Sequence, residues 1–471
     1  VDGGPFVPAK YKIKTRTVPN RFKAPARSSI IAWEEGCLRC PVCVKKHCVY
    51  GVYDKRSLDS RQMIDSIDNQ CMSCLRCVQG CPKELIHKAI HPEFLALGDD
   101  YWTPEIIAGL WNQAETGKIP VSGAGYPGPY SGPGFDSMWT DMSEIVRPTR
   151  DGIHGREYIS TSIDLGKPLD HLTFLESGKL MADPPLPLDI PVPVIFSPPP
   201  IGPWNRFTIR GWAMAAKELG TFMVLPREMI EDELMPFKDS LIPSIFQIPQ
   251  GSAHGLDAVK IVEATWDEGW KEKEKWLADA YPSALISWRV PFAAGVQDNV
   301  LAMVDSGAAI IHLEGTPNGR FIDDTSLYIK KGIEAIHLCL VDHAVRDEVT
   351  ILVGGGLAMA EHVAKSIICG ADGVVIDIPL LVALECRLCK RCAKGLPCPV
   401  EIDRARPSWV ASRVINLIGA WHNQLLEIMG AMGIRDVRRL RGEVGRAMFY
   451  DDLDRSIFGS LATLKEGYEL E

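Results

Sequence analysis

The sequence predicts an α/β fold: a (β/α)8 barrel, preceded by a small cysteine-rich domain and followed by a helical tail. Three observations carry this expectation. Short β-rich runs alternate with helical patterns through the second half of the chain. Two tight cysteine groups lie near the amino end, and a helical periodicity takes over from about residue 406.

Taken in order, residues 1–35 are basic and proline-dotted and read as an arm, which could dock a partner or wrap its own barrel. Residues 36–97 carry the two cysteine groups. Residues 98–160 read as a loop-rich connector, because "SGAGYPGPYSGPGFD" at 122–136 is too rich in glycine and proline for regular helix or strand. The barrel is expected over 161–405. Its candidate strands are VPVIFS (192–197), TFMVL (221–225), SIFQI (244–248), AVKIVE (258–263), ALISW (284–288), AAIIHL (308–313), TILV (350–353) and GVVID (373–377). They are continuously apolar rather than alternating, as parallel strands covered on both faces should be. An open doubly wound sheet is the alternative arrangement of the same pattern. Residues 406–471, with "WVASRVINLIGAWHNQLLEIM", form the helical tail.

At 471 residues the chain needs more than one core, and 46% hydrophobic with 24% charged residues suits a soluble protein. A net charge of −9 argues against nucleic acid or an anionic membrane as the main partner. There is no apolar run of about 18 residues to span a membrane, and no signal-peptide pattern follows Val1, so a cytoplasmic location is expected.

Twelve of the fourteen cysteines fall in three groups: Cys37, Cys40, Cys43, Cys48; Cys71, Cys74, Cys77, Cys81; and Cys386, Cys389, Cys392, Cys398. Disulfides do not favour neighbours three apart, nor does a reducing cytosol. Metal coordination does. The first two groups read C-x2-C-x2-C-x4-C and C-x2-C-x2-C-x3-C-P, where three closely spaced thiolates hold one corner of an iron–sulfur cubane. The fourth ligand comes from the opposite motif in two-cluster ferredoxins. This assigns Cys37, Cys40, Cys43 and Cys81 to one 4Fe–4S cluster and Cys71, Cys74, Cys77 and Cys48 to a second, in a ferredoxin-like domain. Zinc is the alternative, but it usually pairs two cysteines with two ligands beyond a spacer. Cys339 and Cys369, in "IHLCLV" and "SIICGAD", read as small core residues.

At the end of the barrel, "TILVGGGLAMAEHVAKSIICGADGVVID" puts Gly354, Gly355 and Gly356 between a strand and a helix, with a further strand ending at Asp377. Backbone N–H groups at such a loop can hold a phosphate, although tight turns use the same residues.

The run "VGGGLAMAEHVAKSIICGADGVVIDIPLLVALECRLCKRCAKGLPCPVEI" resembles the end of the flavin domain of glutamate synthases. "SGPGFDSMWTDMSEIVRPTRDGIHGREYIST" (131–161) is similar to the segment joining a ferredoxin module to the barrel in the shorter archaeal-type members. The likeness extends, in order, over most of residues 37–450. It implies an FMN-binding barrel and a cluster beside the flavin. In that family three cysteines ligate a 3Fe–4S cluster, at positions matching Cys386, Cys392 and Cys398. Cys389 adds a fourth thiolate, so a third 4Fe–4S cluster is expected, with 3Fe–4S the alternative.

Softer candidates lie at or near strand ends, where a packing or surface role is the alternative for each, and the resemblance supports Lys260, Arg289 and Gln247. Lys260 and Arg289, near strand ends, would neutralise reduced flavin or bind carboxylates. Gln247 would hydrogen-bond the flavin ring edge, and Ser197 and Asp377 are further candidate flavin contacts. His312 and Glu314, after the sixth strand, are candidates for proton transfer. His154, Arg156 and Glu157 would be cap or loop contacts. Three departures from the family stand out. The first cysteine is Cys37, so no glutaminase with an amino-terminal cysteine is expected here. "LPREMI" (225–230) replaces a glycine-acid segment, and "EGTPNGRFIDD" (314–324) replaces a Gly-Gly-Thr-Gly loop.

The resulting expectation is an iron–sulfur flavoprotein oxidoreductase that passes electrons from the clusters to FMN and on to an imine of 2-oxoglutarate and ammonia, giving glutamate. The alternative is an FMN/Fe–S electron-transfer subunit without keto-acid chemistry. Either would work with an electron-donor or acceptor protein, such as a ferredoxin or flavin/Fe–S subunits, in a multi-subunit complex.

Overall fold

The computed structural model describes residues 11–32, 37–38, 40, 42–52, 71–72, 74–119, 132–140, 159–167, 174–175, 177–179, 188–248 and 259–450. The chain divides into two compact units. One takes residues 20–108 and 387–389, the other residues 1–19, 109–386 and 390–471. His154, Arg156 and Glu157 lie outside the described residues.

The larger unit holds a closed barrel of eight parallel strands. They are β1 (Val194–Phe196), β2 (Met223–Pro226), β3 (Leu241–Ile245), β4 (Ile261–Thr265), β5 (Leu285–Pro291), β6 (Ile310–Glu314), β7 (Thr350–Gly354) and β8 (Gly373–Ile376). Their order is sequential and β8 pairs back onto β1, with Val374 opposite Val194. The closed ring settles the choice against an open sheet. The third expected strand begins three residues earlier than its sequence run, at Leu241.

Outside the strands lie helices α1 (Arg206–Leu219), α2 (Trp270–Ala280), α3 (Val296–Asp305), α4 (Ile329–Asp342), α5 (Ala360–Ile368), the short α6 (Ile378–Val382) and α7 (Pro407–Ala431). Local chemistry sets their ends. Asn205 caps α1 through the Phe207 and Thr208 N–H groups, Thr208 reciprocates, and Gly220 ends the helix in the left-handed region at φ 69°. Between β2 and β3 the chain forms 3-10 turns, Arg227–Met229 and Asp232–Ser240, where proline at 236 opposes a regular helix.

The tail helix α7 packs on α1 so closely that a Cβ at Gly211 would meet Val410 at 2.5 Å. Arg413, fully buried in α7, donates to Ala383 O at 2.8 Å and Val18 O at 3.1 Å. Asn416 exchanges hydrogen bonds with Arg16, from Arg16 N at 3.1 Å and to Arg16 O at 2.6 Å. Residues 11–19 of the arm therefore lie along their own unit's tail helix. The antiparallel pair Ile163–Leu165 and Leu188–Ile190 abuts the amino ends of β7 and β8. Gly166 N donates to Thr350 Oγ1, and Ile163 fills the space a side chain would need at Gly373.

Two expectations change. The connector contains a 13-residue helix, Pro104–Thr116; its proline at the first position and apolar residues at 106, 107, 110, 111 and 114 make one buried stripe. The tail also contributes a strand, Ala447–Phe449, antiparallel to Met138–Thr140.

In the smaller unit Ser28–Ala32 pairs antiparallel with Ile86–Ile90. No helix among the described residues is long and apolar enough to cross a membrane.

Candidate functional site

In a barrel of this type, chemistry gathers at the carboxyl ends of the strands. Here β4, β5 and β6 bring charged side chains together. Arg289 Nε donates to Glu263 Oε1 at 2.8 Å, and its Nη1 reaches Glu314 Oε1 at 3.3 Å. His312 Nδ1 lies 2.9 Å from Glu263 Oε2. Ser244 Oγ donates to Glu263 Oε1 at 3.3 Å. The strand registers explain the meeting: His312 stands opposite Arg289 across β5–β6, and Glu263 opposite Ser244 across β3–β4.

The electrostatics follow from this geometry. Burial pushes the Glu263 carboxyl up, but Arg289 and then His312 outweigh it and hold the group at about 2. Burial works against the Arg289 cation, while Glu263 and Glu314 raise its pKa overall. Asp377 goes the other way: burial raises it to about 6, with Glu314 adding to the rise while the Ile378 N–H and Arg289 oppose it. Its Oδ1 accepts from Ile378 N at 2.5 Å, so it caps α6 itself.

Glu263 and Ser244 were not nominated by sequence reasoning. The signal was available, since Glu263 is an acid within an apolar strand run, where a charge requires a partner. Lys260, nominated from the same run, precedes β4 and is exposed. At about 3.3 Å per residue it stands roughly 10 Å toward the amino end from Glu263, away from the Arg289 cluster. Gln247 is exposed in the bend after β3. Ser197 is buried after β1, its N–H on Ile376 O. Lys273, from α2, ties the segments after β3 and β4 by donating to Phe246 O and Thr265 O, both at 3.0 Å.

The glycine loop is closely packed. A Cβ at Gly355 would meet Gly315 backbone at 2.7 Å, and one at Gly356 would meet Gly319 at 2.3 Å; both have positive φ, 99° and 67°. The turn after β6 thus accounts for these two glycines without a ligand.

In the smaller unit, Cys48, Cys71, Cys74 and Cys77 line one pocket with His47, Tyr50, Val52, Met72, Leu75 and Lys88. Lys88 Nζ lies 3.0 Å from Cys71 Sγ. Cys43 and Cys81 pack with Cys48 and Cys71 against the buried group Val52, Cys77 and Ile86, and Cys81 Sγ accepts from Leu85 N at 3.4 Å. Cys37 and Cys40 are half-buried. In the third group Cys386 is buried, Cys389 exposed and Cys392 and Cys398 half-buried. Non-glycine residues with left-handed backbone cluster beside these cysteines: Leu75, Glu84, Glu385, Leu388 and Lys390. Such residues turn successive N–H groups to one side and persist where surroundings enforce them.

Cys369 is buried as expected, and burial pushes its thiol up to about 12. Cys339 is not core; it lies half-exposed on α4, 3.9 Å from His343 Nδ1. Asp136, Glu361 and His362 also come together. His362 Nδ1 accepts from Ala358 N at 3.1 Å, which puts its proton on Nε2, 2.9 Å from Asp136. No imidazole lone pair remains for a metal, and the group fastens the Gly134–Ser137 turn to α5.

Residues 268–435 match the family model described as the conserved region in glutamate synthase. An archaeal glutamate synthase (NADPH) of Archaeoglobus fulgidus is 26% identical over 90% of this chain and 95% of its own length. An archaeal-type glutamate synthase (NADPH) of Thermotoga maritima is 26% identical over 90% and 95%. Over most of its length the chain is similar to archaeal-type glutamate synthases, at low identity. The region matched by the family model runs from α2 through β5–β8 and the third cysteine group to α7, and begins just after Glu263. Among solved structures, flavocytochrome b2 aligns with a TM-score of 0.41 and 10% identity, over 80% of this chain and 86% of its own. That likeness carries no argument; the barrel rests on its own strand order.

Proposed function

We propose that this glutamate synthase-like oxidoreductase is an iron–sulfur flavoprotein. Electrons from a redox partner enter at two 4Fe–4S clusters, pass to a third held by Cys386, Cys389, Cys392 and Cys398, and reach FMN in the barrel. The observation that carries the reading is the pocket lined by Cys48, Cys71, Cys74 and Cys77. It brings a cysteine of one motif beside three of the other, which supports the crossed ligation of a two-cluster ferredoxin. Cys37, Cys40, Cys43 and Cys81 would hold the partner cluster.

The barrel residues fit a flavin ring edge in one respect: His312 has a buried ring nitrogen without a partner among the described residues, and Arg289 supplies a largely buried cation opposite it on the neighbouring strand. Arg289, His312 and Ser197 would contact the ring, and N–H groups of the Gly354–Gly356 loop would take the phosphate. When bound, FMN would exchange hydride with an organic substrate and single electrons with the clusters.

The substrate we propose is the imine of 2-oxoglutarate and ammonia. A second reading, an electron-transfer subunit without keto-acid chemistry, has its own support. Arg289, the cation nominated for substrate carboxylates, is already matched by Glu263 and Glu314, and Asp377 adds a further acid nearby. A dicarboxylate would compete with these groups. The deciding experiment is anaerobic: reduce the protein, add 2-oxoglutarate with ammonium, and follow flavin absorbance and glutamate. Reoxidation with glutamate formed supports the synthase reading. A flavin that reoxidises only with an added electron acceptor supports the relay.

A further inference from the structure

His312 is 1% exposed, and its two ring nitrogens have different fates. Nδ1 is committed to Glu263, while Nε2 has no hydrogen-bond partner among the described residues. Leaving a buried polar atom unpaired is costly, so its retention requires a reason. Nε2 points at β7, where a Cβ on Gly354 would lie 2.9 Å from it. Gly354 is the last residue of β7, and the glycine loop begins immediately after it. The open nitrogen therefore lies at the carboxyl end of the barrel, in space that any side chain at 354 would close.

The carboxylate behind it is immobilised. Glu263 Oε1 accepts from both Arg289 Nε and Ser244 Oγ, leaving Oε2 for His312. The charged groups facing the ring are Glu263 on β4, Arg289 on β5 and, through Arg289, Glu314 on β6 and Asp377 after β8. A carboxylate on Nδ1 fixes the tautomer with Nε2 free in the neutral ring, and stabilises the imidazolium when Nε2 gains a proton.

We propose that Glu263 and His312 are a proton-transfer pair, in which His312 Nε2 exchanges a proton with the nitrogen or oxygen of a substrate C=N or C=O group at the barrel's carboxyl end. This rests on the oxidoreductase reading above. In reduction, the substrate carbon receives a hydride from a donor of the flavin class, and the π bond breaks. The nitrogen or oxygen takes the Nε2 proton, leaving a neutral imidazole whose Nδ1–H still donates to Glu263. Solvent returns the proton to Nε2. Oxidation runs the same transfers backward. His312 is the catalytic residue and Glu263 a positioning residue acting through it.

The first test needs no turnover. Histidine-selective 15N NMR of the full chain, with His312→Gln identifying the resonance, should show the Nδ1-protonated tautomer at high pH, and Glu263→Gln should abolish that preference. A proton on Nε2 with bare Nδ1, or a tautomer indifferent to Glu263→Gln, overturns the pair. The second test is glutamate formation from 2-oxoglutarate and ammonium across pH. Glu263→Gln should lower kcat by about 100-fold, the lower end of what general acid–base catalysis contributes. KM should change little, the pH profile should lose a limb, and Glu263→Asp should restore part of the rate. Loss of rate with an unchanged pH profile marks a merely structural role and also overturns it. Should the wild-type protein not turn over, the substrate reading fails, and the tautomer alone decides the pair.

Discussion

Arg346 Nε donates to His337 Nδ1 across 3.2 Å, so a permanent cation faces an imidazole that must stay neutral to accept. The arginine cannot retreat: it also donates to Val349 O, Gly370 O and Asp372, at 2.9, 2.7 and 2.8 Å. Burial first, then Arg346 and Arg441, push His337 down to about 4, against Asp372 and Asp347. The unfolded chain binds this proton near pH 6.5 and the folded chain only near 4. The stability is therefore complete above about 6.5 and is lost as pH falls from there to about 4. The ring is half-exposed, so solvent screening reduces the effect to about 1 kcal/mol between pH 7 and 5. Denaturant unfolding at both pH values should show His337→Gln losing less stability than wild type. Equal losses would remove His337 as the cause.

Arg413 makes a stronger claim on the larger unit. Its guanidinium joins α7 to Val18 of the amino-terminal segment and to Ala383 after α6, and stacks 5.3 Å from the Trp409 ring. Arg413→Met leaves those buried carbonyls without that donor, a cost of at least about 3 kcal/mol. Arg413→Lys should recover little, because an ammonium cannot reach two divergent carbonyls as a planar fork does. Equilibrium unfolding measures both, and a lysine variant as stable as wild type would refute the argument from shape.

How far the sequence led depended on whether the signal was local. Eight apolar runs foretold eight strands because parallel strands buried on both faces read as continuous hydrophobic stretches. The cysteine spacing is likewise a local signal, confined to a few residues. The Pro104–Thr116 helix was equally legible in "PEIIAGLWNQAET", but the glycine-proline stretch after it coloured the reading of the whole connector. Lys260 and Glu263 show the limit. Three residues apart in one run, they end up at different heights of the barrel, and only strand register reveals which one meets Arg289 and His312. The half-exposed position of Cys339 reflects helical phase on α4, where two-residue windows of apolar neighbours mislead.

The glycine loop separates two reasons for glycine. At Gly356 a side chain would collide with Gly319 backbone and adopt a positive φ as well. Gly356→Ala should destabilise by about 2 kcal/mol or more from strain and overpacking together, and thermal unfolding should show it whether or not flavin is bound. Gly354 has no positive φ, and its constraint is the His312 ring alone. Gly354→Ala should therefore spare most of the stability while displacing His312 Nε2, which the histidine NMR signal would report as a shifted ring with Glu263 still in place. A Gly354→Ala protein as destabilised as Gly356→Ala would mean that the ring cannot yield.

The pocket holding Cys48 with Cys71, Cys74 and Cys77 turns crossed ligation into a question of additivity. Under the proposed assignment Cys48 and Cys71 serve one cluster, while Cys40 serves the other. Cys48→Ser and Cys71→Ser should each remove the same EPR signal after anaerobic reconstitution, and the double variant should lose no more iron than either single one. Cys48→Ser with Cys40→Ser should lose two clusters' worth. If each motif held its own cluster, those two outcomes would be exchanged. Lys88 gives an independent check, since its ammonium lies 3.0 Å from Cys71 Sγ. A cation on a ligand sulfur favours the reduced, more negative cluster, because hydrogen bonds and local charge set the potential. Lys88→Met should therefore make the potential of the Cys71 cluster more negative and leave the other nearly unmoved. Equal shifts in both would show that Lys88 acts on the whole unit and not on the thiolate beside it.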